Sequence, residues 1–152
     1  TLVSPHNGAP YQSVLTASVS QGDDTGDHRP LAHHETTHIL DDDIDEVAQL
    51  AVELGLDGIV ATNTTIDHER GPGGLSGPPL RERSRAVIAR LRDKVGPQMC
   101  LIGVGGVTTA HDVRAMLDAG ATLVQVYTAL VYEGPFLPSR LSRKLAKLSA
   151  TV

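Results

Sequence analysis

The chain contains no tryptophan, one phenylalanine and three tyrosines, so aromatics make up only 3% of its 152 residues. Any core must therefore be built from aliphatic side chains. The single cysteine, Cys100, excludes an intrachain disulfide framework and suits a reducing compartment. There is no long apolar run and no signal-peptide h-region, so the sequence reads as neither membrane-spanning nor secreted. Basic residues do not dominate either. Lys and Arg number 13 against 18 Asp and Glu, and the net charge of -5 speaks against nucleic acid as a partner. What is present, 40% hydrophobic and 20% charged residues, is the composition of one ordinary globular domain. Thr1 in place of Met reads as the start of a fragment or of a processed chain.

The chain divides near Leu40. Residues 1–40 are polar and turn-rich, with PHNGAP and SQGDDTGDHRP, and hold five of the seven histidines. Only Tyr11 to Ser20 shows partial strand alternation, so this part is expected to be an irregular or poorly ordered arm. From Asp41 a regular pattern begins. Ile44, Val47, Leu50, Ala51 and Leu54 recur at helical spacing, with Asp41–Asp43 as an N-cap region and Gly55 as a stop. Gly58–Ala61 is a short apolar run that reads as a buried strand. A helix over 81–94 carries Val87, Ile88 and Leu91 on one face. CLIGVGG is a second strand. Thr109 caps a helix with Asp112 at N3, and Gly120 ends it. ATLVQVYT is a third strand, and a tail helix carries Leu137, Leu141, Leu145 and Leu148.

Helices alternating with strands mean parallel strands joined by right-handed crossovers. A (β/α) barrel or an open doubly wound sheet fits, and three strands complete neither. In both architectures ligands bind at the carboxyl ends of the strands. There the sequence places Thr62-Asn63-Thr64-Thr65, a row of uncharged hydrogen-bonding groups suited to a planar polar ring or to a plain capped turn. Gly105-Gly106 followed by a helix start can admit an anion to backbone N–H groups, and Tyr127-Thr128 forms a neighbouring turn. The loop from Gly71 to Leu80 serves as a lid, a backbone cradle or a connector. The arginines at 81, 83, 85, 90 and 92, with Glu82, read as a solvated helix face, and Cys100 as a thiol at the core edge.

Together ATNTT, GGLSGPPL, LIGVGGV and LVQVYTALVYEGP resemble the C-terminal part of dihydroorotate dehydrogenase of the quinone-linked class, from about Asp41 to Leu148. The resemblance implies an α/β fold, the C-terminal βα units of a partial (β/α)8 TIM barrel. It also implies FMN, oxidation of dihydroorotate to orotate in pyrimidine biosynthesis, and quinone as acceptor. By resemblance, Thr62, Gly77, Gly106, Tyr127 and Thr128 contact FMN, the last two at its phosphate, and Asn63 and Thr64 contact the orotate ring. It implies a location in the cytoplasm or at the inner face of the cell membrane. The family's catalytic serine lies in a motif resembling SSPNTPGLR, which VSPHNGAP echoes only at Ser4, Pro5 and Asn7. Its flavin-contacting lysine in K-x-A-P has no counterpart, since LAHHETTHIL stands there instead. No residue is therefore assigned as catalytic. The chain alone is expected to bind FMN weakly or not at all, to lack dehydrogenase activity, and to associate through exposed sheet edges. A truncated, frameshifted or internally deleted gene would account for residues 1–40.

Two other classes compete with that reading. His34, Glu35 and His38 spell H-E-x-x-H, the pattern of zinc proteases. No third ligand follows at a recognised spacing, so no metal ligand is assigned. The other alternative is a non-catalytic remnant or interaction module.

Overall fold

The computed structural model describes residues 14–16, 41–65, 68–69 and 73–149. His34, Glu35 and His38, like Ser4, Pro5 and Asn7, lie outside the described residues.

The first helix, α1, is Asp41–Glu53. It begins at Asp41, so Asp41–Asp43 are its first residues. Its buried stripe is Ile44, Ala48 and Ala51, whereas Leu50 and Leu54 are exposed, at 47% and 63%. The small Ala48 and Ala51 allow close packing on the sheet, and the larger leucines fall to its rim. Helix α1 ends as expected at Gly55. Its N–H donates to Val52 O at 3.1 Å and that of Leu56 to Ala51 O at 3.0 Å, the paired bonds that close a Schellman turn.

Among the described residues, four strands form one parallel sheet in the order β1 (Val14–Thr16), β2 (Gly58–Ala61), β3 (Cys100–Val104), β4 (Leu123–Gln125). The sequence suggested three, plus a weak candidate at Tyr11 to Ser20. That candidate supplies β1, which pairs Leu15 with Ile59. In the register between β2 and β3, Ile59 faces Leu101 and Val60 faces Ile102. The alternation of side chains then puts Ile59 and Leu101 on one face and Val60 and Val104 on the other. The first face is covered by α1, by α2 (Arg81–Val95) and by α3 (Ala110–Asp118), through Ala51, Ile88, Leu91 and Met116.

Helix α3 has the capping box read from its sequence. Thr109 Oγ1 accepts from Asp112 N, while Asp112 Oδ2 accepts from Thr109 N. The end of the chain departs from expectation. Only Leu123–Gln125 of ATLVQVYT is strand, and Tyr127 and Thr128 open a short helix, α4 (Thr128–Glu133). A turn at Gly134 leads to α5 (Leu137–Ser149), whose Leu137 and Leu141 form a second buried cluster with Ala129.

The arginines of α2 are not a uniformly solvated face. Arg90 donates to both oxygens of Asp45 at 2.8 and 3.2 Å, and Lys94 meets the same carboxylate at 2.5 Å, so α2 is tied to α1. Arg92 donates to Gly120 O at 2.9 and 2.8 Å and to Met99 O at 2.9 Å, gathering three loop carbonyls with that of Gly96. Among these six side chains, Glu82 and Arg85 make the local surface pair that helical spacing suggests.

Candidate functional site

The strands are parallel, so the segments following β2, β3 and β4 emerge on the same side of the sheet. There they enclose a cleft of ≈ 240 Å³. Thr62, Asn63 and Thr64 come from the turn after β2. Ser76 and Gly77 come from the glycine-rich loop, Gly105, Gly106 and Thr108 from the turn after β3, and Gln125, Tyr127 and Thr128 from the end of β4 and the start of α4. Val60, Val104 and Val107 supply apolar wall. The seven positions given a flavin or orotate contact by resemblance, Thr62, Asn63, Thr64, Gly77, Gly106, Tyr127 and Thr128, all line this cleft.

The turn after β2 is braced on its inner side. Thr62 N donates to Val104 O at 2.9 Å, and Thr62 Oγ1 lies 3.3 Å from that carbonyl and 2.8 Å from Ser84 Oγ. Asn63 Oδ1 accepts from Thr64 N at 2.8 Å, which sets the plane of the amide, and Asn63 Nδ2 has no partner among the described residues. Residues Thr65 and Leu75 form an antiparallel bridge, with bonds of 3.1 and 2.7 Å. This bridge closes the base of the glycine-rich loop and brings its last part over the cleft. Thr128 Oγ1 donates to Ser76 Oγ at 3.1 Å and joins that loop to α4.

Two glycines are required here by close approach. A Cβ on Gly105 would lie 2.2 Å from Ser84 Oγ and 3.2 Å from Thr62 Oγ1. One on Gly106, at φ +72°, would lie 2.6 Å from the Arg81 backbone. The turn therefore presses against α2, and Arg81 reinforces it by donating to Gly106 O at 3.3 Å and to Thr108 Oγ1 at 3.1 Å.

The sequence suggested that the helix start after this turn would favour an anion. The N–H groups of Thr108, Thr109 and Asp112 there are already taken. Asp112 Oδ2 accepts from Thr108 N at 3.1 Å and Thr109 N at 2.8 Å, and Asp112 Oδ1 pairs with Arg81 Nε at 2.8 Å. Burial pushes the Asp112 carboxyl up, but the bonds from Thr108 and Thr109 outweigh it and hold its pKa below the ordinary 3.8.

Sequence reasoning missed Ser76, Ser84 and Gln125. Ser84 did carry a signal. It stands at i, i+3, i+4 and i+7 with Val87, Ile88 and Leu91, a polar residue on an apolar face, and it is fully buried. Among the described residues, no Asp, Glu, His, Lys, Arg or Cys lines the cleft. The walls can bind and orient a polar ring through uncharged groups, but they supply no strong base.

The family model for dihydroorotate dehydrogenase matches residues 11–148. The chain belongs to the dihydroorotate dehydrogenase family. A dihydroorotate dehydrogenase (quinone) of Arthrobacter sp. (strain FB24) is 53% identical over 133 residues, covering 80% of this chain and 37% of the relative. One from Pseudarthrobacter chlorophenolicus is 49% identical over 146 residues, covering 88% of this chain and 41% of the relative. The chain thus spans about two fifths of the length of these curated relatives. A solved dihydroorotate dehydrogenase from Eimeria tenella, in complex with ferulenol, superposes with a TM-score of 0.69 at 34% identity, over 73% of this chain and 32% of that one. The parallel sheet with its outer helices is therefore part of a dihydroorotate dehydrogenase barrel. The family match begins at residue 11, ahead of the periodic region and just before β1.

Proposed function

We propose that residues 41–149 carry the flavin-facing and substrate-facing side of a quinone-linked dihydroorotate dehydrogenase, which oxidises dihydroorotate to orotate. The observation that carries this reading is the convergence of Thr62, Asn63, Thr64, Gly77, Gly106, Tyr127 and Thr128 on one cleft at the carboxyl ends of the strands.

The residues fit FMN in kind. Asn63 Nδ2 and the Thr64 hydroxyl offer uncharged hydrogen bonds to a pyrimidine ring. Gly106 keeps backbone where a side chain cannot go, and the Ser76–Thr128 bond places a hydroxyl-bearing turn beside Gly77 for a phosphate. The cleft is small for the task, ≈ 240 Å³ against the roughly 300–1,000 Å³ of sites that bury a ligand of drug size. The remaining wall belongs to other parts of the barrel. When bound, FMN supplies the hydride chemistry. The residues of this cleft orient the ring and exclude water from it. Proton removal from the substrate falls to a base outside the described residues, and a quinone is the acceptor by kinship with the quinone-linked relatives. Among the described residues, no helix is long and apolar enough to cross a membrane. Attachment at the membrane surface is the family-based reading of its location.

A chimera tests the proposal: residues 41–148 replace the corresponding segment of the Arthrobacter relative, which keeps its own earlier strands. The chimera should purify with flavin that bleaches on adding dihydroorotate, and Asn63→Ala should retain the flavin but abolish the bleaching. A folded, colourless chimera would refute it.

A second reading concerns the chain by itself. Strands β1 and β4 are the outer strands of the described sheet. Unpaired edges of this kind favour self-association.

A further inference from the structure

Among the described residues, Ser84 is the one polar side chain in the buried core, with no exposed surface, and it lies on α2 rather than on any loop of the cleft. Its Oγ is 2.8 Å from Thr62 Oγ1, and Thr62 Oγ1 is 3.3 Å from Val104 O. A threonine hydroxyl has a single proton. Whether Thr62 donates to Val104 O and accepts from Ser84, or donates to Ser84, that proton stays inside the protein. What Thr62 can still offer on the cleft side is a lone pair. The absent side chain of Gly105 makes room for the arrangement, because a Cβ there would lie 2.2 Å from Ser84 Oγ.

We propose that Ser84 is a positioning residue for the flavin site, acting through Thr62. It fixes the rotamer of Thr62 and commits the hydroxyl proton inward, so that Thr62 meets its ligand as a hydrogen-bond acceptor and selects a ligand N–H or O–H over a carbonyl oxygen. The proposal rests on reading the cleft as the flavin site, but the rotamer part of it does not.

Two measurements separate the two claims. In the full chain, three-bond couplings to the Thr62 γ-methyl carbon report χ1 without any ligand. They should show one rotamer in the parent and averaging in Ser84→Ala. In the chimera, the FMN dissociation constant should rise about tenfold in Ser84→Ala and by a similar factor in Thr62→Val. The double variant Thr62→Val/Ser84→Ala should be no worse than Thr62→Val alone, because both substitutions remove one shared interaction. The double variant also guards against a folding defect, since it replaces both partners of the buried pair with apolar groups. A single fixed Thr62 rotamer in Ser84→Ala, or losses that multiply in the double variant, would overturn the proposal. A parent chimera that takes up no FMN would sink the functional reading, and the coupling measurement would then decide the role of Ser84 by itself.

Discussion

Asp112 offers the sharpest test of how the wall of the cleft is held. Its Oδ2 accepts from Thr108 N at 3.1 Å, Thr108 Oγ1 at 3.0 Å, Thr109 N at 2.8 Å and Thr109 Oγ1 at 2.9 Å, while Oδ1 pairs with Arg81 Nε at 2.8 Å. Its side chain is 11% exposed and that of Arg81 35%. Asp112→Ala removes half of a capping box, a loss of about 1 kcal/mol. It also strands the Thr108 N–H and hydroxyl in a part-buried turn, about 1–2 kcal/mol more. The partly solvent-screened pair with Arg81 adds about 0.5 kcal/mol. The sum is about 3 kcal/mol, which at this chain length lowers the melting temperature by about 6–12 °C. Asp112→Asn keeps one acceptor oxygen and should lose less than half of that. The pKa of Asp112 is depressed in the folded state, so the carboxylate contributes fully above 3.8, and the contribution fades as pH falls through the lower folded value. The difference between the parent and Asp112→Asn should therefore be constant near neutrality and shrink below pH 3.8. Urea and thermal unfolding followed by circular dichroism measure both effects. An Asp112→Ala loss under about 0.5 kcal/mol, or a parent–Asn difference that grows on acidification, would refute the reasoning.

Other outcomes follow from the same geometry. Gly106→Ala puts a Cβ 2.6 Å from the Arg81 backbone at a φ of +72°, so the chimera carrying it should lose flavin and the full chain should unfold at lower denaturant. Asp45→Asn releases Arg90 and Lys94 together. Its pKa is held below 3.8 by hydrogen bonds from Arg90 and then Lys94, so any destabilisation should be present near neutrality and vanish as pH drops below that value. Size-exclusion chromatography of the chain alone should show concentration-dependent oligomers. A compact monomer at all concentrations would argue against open sheet edges. Elemental analysis after dialysis should find less than stoichiometric zinc, whereas retained zinc lost on changing His34 and His38 would revive the H-E-x-x-H reading.

Much of the fold was legible because its signals are local. Helix α3 was read from its capping box and its stop at Gly120, and β2 and β3 from short apolar runs ending in Gly and Thr. These features depend on residues within one or two turns of each other, so a linear reading reaches them. Helix α4 was missed because six residues are too few to show a helical period, and its first residues continue the apolar run of β4. The stripe of α1 was misplaced because leucines outweigh alanines in a hydrophobic pattern, whereas the sheet accepts the smaller Ala48 and Ala51. The candidate site was legible as a set of residues after strands, and the resemblance supplied their roles.

The sequence alone determined the succession of helices and parallel strands, the positions of the strand-end turns, and the uncharged character of the groups those turns carry. All of that follows from periodicity and residue type. The tertiary structure decided which of those groups are still free. Asp112 takes the Thr108 and Thr109 N–H groups at the helix start that looked open to an anion, Ser84 and Val104 engage the hydroxyl of Thr62, and the α2 arginines bind carbonyls and carboxylates up to 45 residues away. The reason is physical. A hydrogen bond or a clash belongs to two groups at once, and the second partner is set by how the chain packs, which no local pattern records.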